Sequence, residues 1–414
     1  MKRSREEKHK YKEINTEKKG RSGPERLARM YAGLVISALA FCGILLLVLP
    51  QKDYSPLENR FLAKRPEITG EGILSGEVQK GLTEAADDQF PLRSQWMKIA
   101  ATGQFLLFHR EVNGVYIGKD RTLFNKVTDS DLSEKNYRKN LGCVTSMAAA
   151  TEADVSVMLI PSPASLQEEK LPTHGVVYDS EPYETLGETL CEEESVRFVQ
   201  TKEELARHAR KDEKLYFQTD HHWTTNGAYV GAAVYLKSQD QEIAPQAEFD
   251  VQTVREDFYG TIYSKVAGLG LIRPEELVLP KALPENLIIE SDGPPADALG
   301  ADVEKSMPEL TGIYDESKLA GKDKYAVYFG GNYGRLTIKN PDAAGKGSLL
   351  IFKDSYANSM VPYLLDRYAQ ITMIDLRYYN ESVPALVSEG WDEILVCYEM
   401  SNFINDRNVV KLIR

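Results

Sequence analysis

Two short segments of this chain hold the residue types that nucleophilic chemistry needs. The first is Thr219-Asp220-His221-His222-Trp223-Thr224-Thr225-Asn226-Gly227. The second is Lys353-Asp354-Ser355-Tyr356-Ala357-Asn358-Ser359. A serine hydroxyl is a weak nucleophile until a base takes its proton, and a histidine serves when a carboxylate holds its imidazole in the right tautomer. The two segments together supply all three groups. Histidine is scarce: the six sit at 9, 109, 174, 208, 221 and 222, and two of them are adjacent here. In an extended chain, residues i and i+2 point the same way. Asp220 therefore reaches the ring of His222 more easily than that of His221. This makes His222 the expected base, Asp220 its orienter and Ser355 the nucleophile, with His221 beside them or facing substrate. Two plainer readings compete. Asp354 or Ser355 could simply cap a helix, and Asp220 with the two histidines could bind zinc. No further His or Cys stands nearby at ligand spacing, so no metal and no cofactor is expected.

These segments need a scaffold that brings them together across more than 130 positions. Residues 155–160 (VSVMLI), 348–352 (SLLIF), 370–374 (QITMI) and 393–398 (EILVCY) read as buried strands. KLYFQ at 214–218 reads as another extended stretch. Helical spacing marks 132–150, 201–210, about 225–237 behind a Thr224 cap, and about 357–367. Alternation of this kind argues for a parallel α/β sheet with helices on both faces. Both segments then lie where a strand gives way to a helix, the edge at which open α/β sheets place ligands. NGVYIGKDRTLF at 113–124 reads as a hairpin. Residues 74–110 show helical spacing interrupted by Pro91. The stretch 238–347 is the least periodic. Six prolines between 273 and 312 point to long loops or an insertion.

The 414 residues are 42% hydrophobic and 27% charged, ordinary globular values that exclude a collagenous or polytopic membrane protein. Net charge is −12, which argues against nucleic acid as a partner. The charge is unevenly spread. Residues 1–29 carry 11 Lys/Arg against 5 Glu, a net of +6, which leaves −18 for the remainder. This basic segment is expected to be disordered. Met30 to Pro50 contains no charged residue, enough to cross about 30 Å of hydrocarbon as a helix. The run is longer than a signal peptide's and ends in Leu-Pro-Gln-Lys rather than a small-residue cleavage site. The expected layout is a basic cytoplasmic tail at 1–29, a transmembrane anchor at 30–50 and an extracytoplasmic domain at 51–414. Cys143, Cys191 and Cys397 are left outside the membrane, too few and too scattered for a disulfide framework.

Asp-His-His-Trp, the anchor and the late Asp-Ser-Tyr turn resemble the DHHW protein family. They are also similar to the SGNH-like domain of alginate O-acetyltransferases. The motifs in this chain are SPLENRFLAKRP, NGVYIGKD, TDHHWTTNGAY, FYGTIYSK and the run from SLLIFKDSYANS to DLRYY. The resemblance implies an α/β, SGNH-hydrolase-like (flavodoxin-like) sheet behind a single N-terminal transmembrane helix. It implies a triad of Ser355, His222 and Asp220. It also implies acetyl transfer onto, or removal from, a secreted or wall polysaccharide, with a multispanning membrane acyltransferase supplying the acetyl group. Lys353 stands where SGNH hydrolases commonly show a glycine before Asp-Ser. Gly331 and Asn332, in Gly-Gly-Asn-Tyr-Gly, and Asn358 are the candidates for substrate or oxyanion contacts. The alternative to an O-acetyltransferase or esterase is a non-catalytic carbohydrate-binding or assembly protein on the same scaffold.

Overall fold

The computed structural model describes residues 23–296 and 310–414, apart from positions 56, 59, 212, 267 and 311. The basic segment before residue 23 and part of the proline-rich stretch thus lie outside the described residues. The chain divides into two compact units. One comprises the residues up to Asp53 with Leu62–Arg93, and the other Tyr54–Phe61 with Ser94–Arg414.

The first unit carries the apolar helix Gly23–Val48, of which Pro24–Val48 is long and apolar enough to span a membrane. The helix starts seven residues before the uncharged run because nothing in Glu25–Arg29 opposes helix. Pro24 sits in the first turn, where a missing N–H costs nothing. It stops short of Pro50, as a residue before proline avoids helical geometry. Helices Gly70–Ser75 and Glu77–Asp88 follow, with Thr69 capping the first through a 3.1 Å bond from Gly72 N–H. Buried Asp88 accepts Ala63 N–H at 2.7 Å and ties Ala63 to the end of the second helix.

The second unit is built on a seven-stranded sheet. Its strands, in chain order, are β1 (Asp154–Ile160), β2 (Arg197–Val199), β3 (Ile288–Ser291), β4 (Arg335–Lys339), β5 (Ser348–Lys353), β6 (Gln370–Ile374) and β7 (Glu393–Glu399). Their spatial order is β3-β4-β6-β5-β7-β1-β2. The five strands from β6 to β2 are parallel, while β3 and β4 are antiparallel additions at one edge. The sheet is thus mostly parallel rather than wholly so. The aperiodic stretch supplies the two antiparallel strands, because Ile288-Ile289 and Leu336–Ile338 are too short to stand out against loop sequence.

The parallel strands read as unbroken apolar runs because both faces are buried. Met158, Ile351 and Leu395 pack on one face with helix Thr225–Ser238. Val157, Leu350 and Val396 pack on the other with helix Glu134–Ala148 and the C-terminal turn. Cys143, Cys191 and Cys397 are buried free thiols. Outside this sheet, Glu111–Val112, Val115–Ile117 and Leu123–Asn125 form a small antiparallel meander. The Asn113-Gly114 turn joins its first two strands, and both of these residues take positive φ.

Two expected elements differ. Residues 214–218 do not join the sheet. They fold back on the histidine segment as a tight hairpin, with a single bridge between Tyr216 and Trp223. Phe217 N–H binds His222 O at 3.2 Å and Thr224 N–H binds Leu215 O at 2.8 Å, so the ladder bonds are made locally. The helix after Ser355 is only Ala357–Met360, followed by a 3₁₀ turn over Val361–Tyr363. Pro362 has no N–H to extend an α-helix.

Candidate functional site

The turn bearing Ser355 leaves the carboxyl end of β5. Asp354 is buried and shapes this turn: Oδ1 accepts Tyr356 N–H at 3.0 Å, and Oδ2 accepts Glu399 N–H at 2.9 Å and Asn402 Nδ2 at 2.8 Å. It thereby ties the end of β5 to the end of β7. Burial pushes its carboxyl up, against those hydrogen bonds. Ser355 itself is half-buried between buried neighbours, so its hydroxyl is presented at the surface of the turn.

The hairpin places its histidines over that turn. Ser355 Oγ lies 2.7 Å from His222 Nε2, and His222 Nδ1 lies 2.5 Å from Asp220 Oδ1. His221 Nδ1 is farther from the same oxygen, at 3.6 Å. Asp220 can only accept when ionised, so His222 carries its proton on Nδ1 and turns Nε2 to the serine hydroxyl. His222 is clamped on both sides. The Tyr325 ring stacks on it at 3.8 Å and 7°, and the His221 ring lies 3.9 Å away. Tyr325 hydroxyl donates to Ser359 Oγ at 3.0 Å, which holds the stack in place.

Asp220 is 1% exposed and fully engaged. Oδ1 accepts His222 N–H and Nδ1, and Oδ2 accepts Thr261 N–H at 2.7 Å and Thr261 Oγ1 at 3.0 Å. Burial would raise its pKa, but the neighbouring His221 and His222 and these hydrogen bonds overcome burial and hold it far below the usual carboxylate range. Gly260 makes this clasp possible. A Cβ there would sit 2.2 Å from Asp220 Cβ and 2.3 Å from Oδ2.

Trp223 locks the two segments together. Its indole N–H is shared between Tyr356 O at 3.0 Å and Ser359 Oγ at 2.8 Å, and the ring is fully buried. The ring also lies close over Gly231 of the following helix, where a Cβ would be 2.6 Å from it. Tyr356 hydroxyl returns the contact by donating to His221 O. Thr224 caps helix Thr225–Ser238, accepting Gly227 N–H at 3.4 Å.

The other sequence candidates divide. Asn332 and Asn358 lie together, with Asn358 Nδ2 donating to Asn332 Oδ1 at 3.1 Å. Lys353 is buried, and its Nζ donates to the same oxygen at 2.9 Å. Two donors on Asn332 Oδ1 fix that amide and turn its donor end the other way. Asn358 presents a buried Oδ1, which is an acceptor. Gly331 has its N–H bound to Tyr328 O at 3.3 Å. Asp220, His221 and His222 come within 4.8 Å of one another, as a metal site would require. Here both Asp220 oxygens and both His222 nitrogens are engaged with protein partners, and among the described residues only His221 Nε2 is left over.

Tyr325, the Gly260-Thr261 clasp and the Lys353–Asn332 contact did not emerge from the sequence as site features. FYGTIYSK carried the clasp as a motif without a role. Tyr325 has no local signal, as one of 22 tyrosines in an aperiodic stretch.

Comparison with known proteins fits this geometry. The DHHW protein family profile matches residues 198–374, which include both segments of the site. The profile described as SGNH hydrolase-like domain, acetyltransferase AlgX, matches residues 115–273, which include Asp220 and His222. No curated protein matches the sequence. A DHHW family protein from Eubacterium siraeum is 18% identical, covers 73% of this chain and 95% of its own, and superposes with a TM-score of 0.55. Bacillus cereus PatB1, solved with a sulfonyl adduct, is 19% identical, covers 72% of this chain and 98% of its own, and has a TM-score of 0.55. At such identities the likeness is one of fold. The chain thus combines a mixed α/β, SGNH-hydrolase-like fold and a single N-terminal apolar helix with the Asp-His-His-Trp region that the DHHW protein profile matches.

Proposed function

We propose that the protein is a membrane-tethered O-acetyltransferase or esterase that acts on an extracytoplasmic polysaccharide through Ser355. The observation that carries this reading is the continuous hydrogen-bonded row from Asp220 through His222 to Ser355. The match to an SGNH hydrolase-like acetyltransferase profile supports the acyl chemistry, and the polysaccharide substrate is what the resemblance to alginate O-acetyltransferases implies. The apolar helix supports tethering, and the positive charge before it supports a cytoplasmic N-terminus with residues 51–414 outside.

In this mechanism Ser355 Oγ attacks the carbonyl carbon of an acetyl donor while His222 Nε2 takes the hydroxyl proton. Ionised Asp220 stabilises the imidazolium that results. Gly331, Asn332 and Asn358 are the candidate contacts to the oxyanion. Collapse expels the donor's leaving group, which receives the proton from His222. A sugar hydroxyl then attacks the acetyl-serine, His222 takes its proton, and Ser355 leaves with that proton. Water in place of the sugar makes the same site an esterase. A multispanning acyltransferase is the proposed source of acetyl groups.

Full-length protein in detergent, mixed with 4-nitrophenyl acetate, tests the reading by intact mass. An acetyl adduct on wild type that is absent from Ser355→Ala and His222→Ala is expected. A wild type with no adduct and no turnover that still binds glycan, equally well as Ser355→Ala, would replace the enzyme with a carbohydrate-binding protein.

A further inference from the structure

Helix Arg93–Leu106 has two apolar faces, and only one of them is covered. Met97, Ala101 and Phe105, four residues apart, face the core and pack in one cluster with Ile262 and Val266. Trp96, Ile99, Ala100, Gly103, Leu106 and Leu107 recur at helical spacing on a second face. Leu107 belongs to that row because its N–H still bonds to Gly103 O at 3.0 Å. The large side chains of the row stand in solvent: Trp96 is 54% exposed, Ile99 61%, Leu106 66% and Leu107 73%. Phe108 follows at 81% and takes a φ of 64°, in a left-handed helix-end position where glycine is usual. Val176, itself exposed, lines with Phe108 a cavity of about 460 Å³, so the apolar surface continues beyond the helix. Single exposed apolar side chains are ordinary, but a contiguous row marks a contact surface.

Charge and chain position name the occupant. Between Asp88 and Glu111 there is no acidic residue, whereas Arg93, Lys98 and Arg110 are basic. This stretch is cationic within a region, residues 51–414, that carries −18 in all. It therefore suits an anionic surface. Arg110 stands at the end of the apolar row, its guanidinium 4.3 Å from the Phe105 ring and 5.9 Å from the Phe108 ring, so apolar and cationic contacts come together there. Trp96 also stands only 48 positions beyond Val48, the last residue of the membrane-spanning helix. A tether this short keeps the face close to the bilayer at high effective concentration, so even a weak surface contact is realised. Tryptophan, aliphatic side chains and basic ends are the composition of helices that lie in a membrane interface.

We propose that the face from Trp96 to Phe108, with Val176 beside it, lies in the headgroup layer of the bilayer that carries the anchor, where anionic phospholipid meets Arg110. The proposal rests on the membrane-tethered reading above and not on the acetyl-transfer chemistry. Its consequence is orientation. The covered face of the same helix packs with Ile262, the residue after Thr261, whose N–H and hydroxyl hold Asp220. A docked helix holds the Ser355 site at a set height over the membrane, instead of leaving it to swing on its tether.

Trp96 is its own probe, because the other two tryptophans, Trp223 and Trp391, are buried. Full-length protein is reconstituted in phosphatidylcholine–phosphatidylglycerol vesicles, with or without lipids brominated near the head of the acyl chains. The Trp96 signal is the emission that Trp96→Phe removes. Brominated lipid is expected to quench it by about half, since an interfacial helix sinks its apolar face roughly 5–10 Å into the headgroup boundary. Acrylamide in the water should reach it poorly. A double variant, Ile99→Asp with Leu107→Asp, changes two exposed positions and should keep the wild-type melting temperature. In it the lipid quenching should fall about fivefold and acrylamide access should return. A wild-type Trp96 that lipid does not quench and acrylamide does overturns the proposal. So does one shielded from both, because protein then covers the face, and so does quenching that survives in the double variant. Protein that alkaline carbonate strips from the vesicles refutes the anchor reading beneath it instead.

Discussion

Two buried carboxylates, Asp220 and Glu399, are held in opposite states. Asp220 receives four hydrogen bonds and lies beside two histidines, so it stays ionised although it is almost wholly out of water. Glu399 is nearly as hidden, but among the described residues only one of its oxygens is satisfied, and burial prevails to push it up to about 7. Burial alone therefore does not decide the charge of a carboxyl. At Asp220 the neighbouring histidines and the hydrogen bonds together outweigh it. The ionised group stands behind the base, where a fixed negative charge is useful. The half-satisfied group is buried at the end of β7, where no donor among the described residues reaches Oε1.

The strongest way to break this contrast is Asp220→Asn. The amide keeps the shape but disfavours the Nδ1–H tautomer of His222, and acetylation of Ser355 should slow by about 10³–10⁴-fold. Stopped-flow release of nitrophenol measures it, and Glu399→Gln should show no comparable loss. If the two variants slow acetylation equally, the division of roles is wrong.

Gly260→Ala attacks the clasp rather than the charge. The new methyl overlaps Asp220 itself, so the carboxylate must move. A drop in acetylation of about 10²-fold is expected, together with a loss of stability of about 1–3 kcal/mol from overpacking. Denaturant titration and burst kinetics on one preparation check both.

Glu399 makes a pH prediction of definite sign. Its native pKa of about 7 lies above its ordinary value of 4.5, so the native state binds more protons than the unfolded chain between those values. Stability from this group is present at low pH and falls as pH rises from about 4.5, levelling off above about 7. Glu399→Gln cannot titrate. Its stability relative to wild type should rise by up to ~3 kcal/mol between pH 4.5 and pH 8. Urea midpoints of both proteins across that range decide it, and parallel curves would show that Glu399 is not held protonated.

The smallest effect belongs to Thr261→Val, which removes one hydroxyl bond to Asp220 and the partner of His221 while leaving the Thr261 backbone donor. About a tenfold fall in acetylation is expected, close to 1–1.5 kcal/mol. A fall as large as that of Asp220→Asn would mean that the hydroxyl, not the buried backbone N–H, holds the carboxylate.

Much of the sheet was legible because strands buried on both faces are continuous apolar runs, as in VSVMLI, SLLIF and EILVCY. The edge strands Ile288–Ser291 and Arg335–Lys339 were not, since they are short and bordered by loops. KLYFQ was read as a strand on composition, whereas its hydrogen bonds close on the His222–Thr224 segment. Local propensity does not reveal which partner an extended chain takes.

Within the site, the sequence determined what is local. The pairing of Asp220 with His222 is local, but residues 218–222 bend rather than extend: Asp220 Oδ1 accepts both His222 N–H at 3.0 Å and Nδ1 at 2.5 Å within one turn, and the His221 ring lies beside that of His222 instead of opposite it. Thr224 capping the next helix is equally local. Everything that depends on distant chain was decided by tertiary structure: Tyr325 stacking on His222, Thr261 clasping Asp220, Trp223 bridging to the Ser355 turn, and Glu399 left half-satisfied at the end of β7. The first three of these contacts link residues 41 to 136 positions apart. Short-range periodicity encodes which way a side chain faces. It does not encode which remote group arrives there, because that is set by how the whole sheet and its crossovers pack.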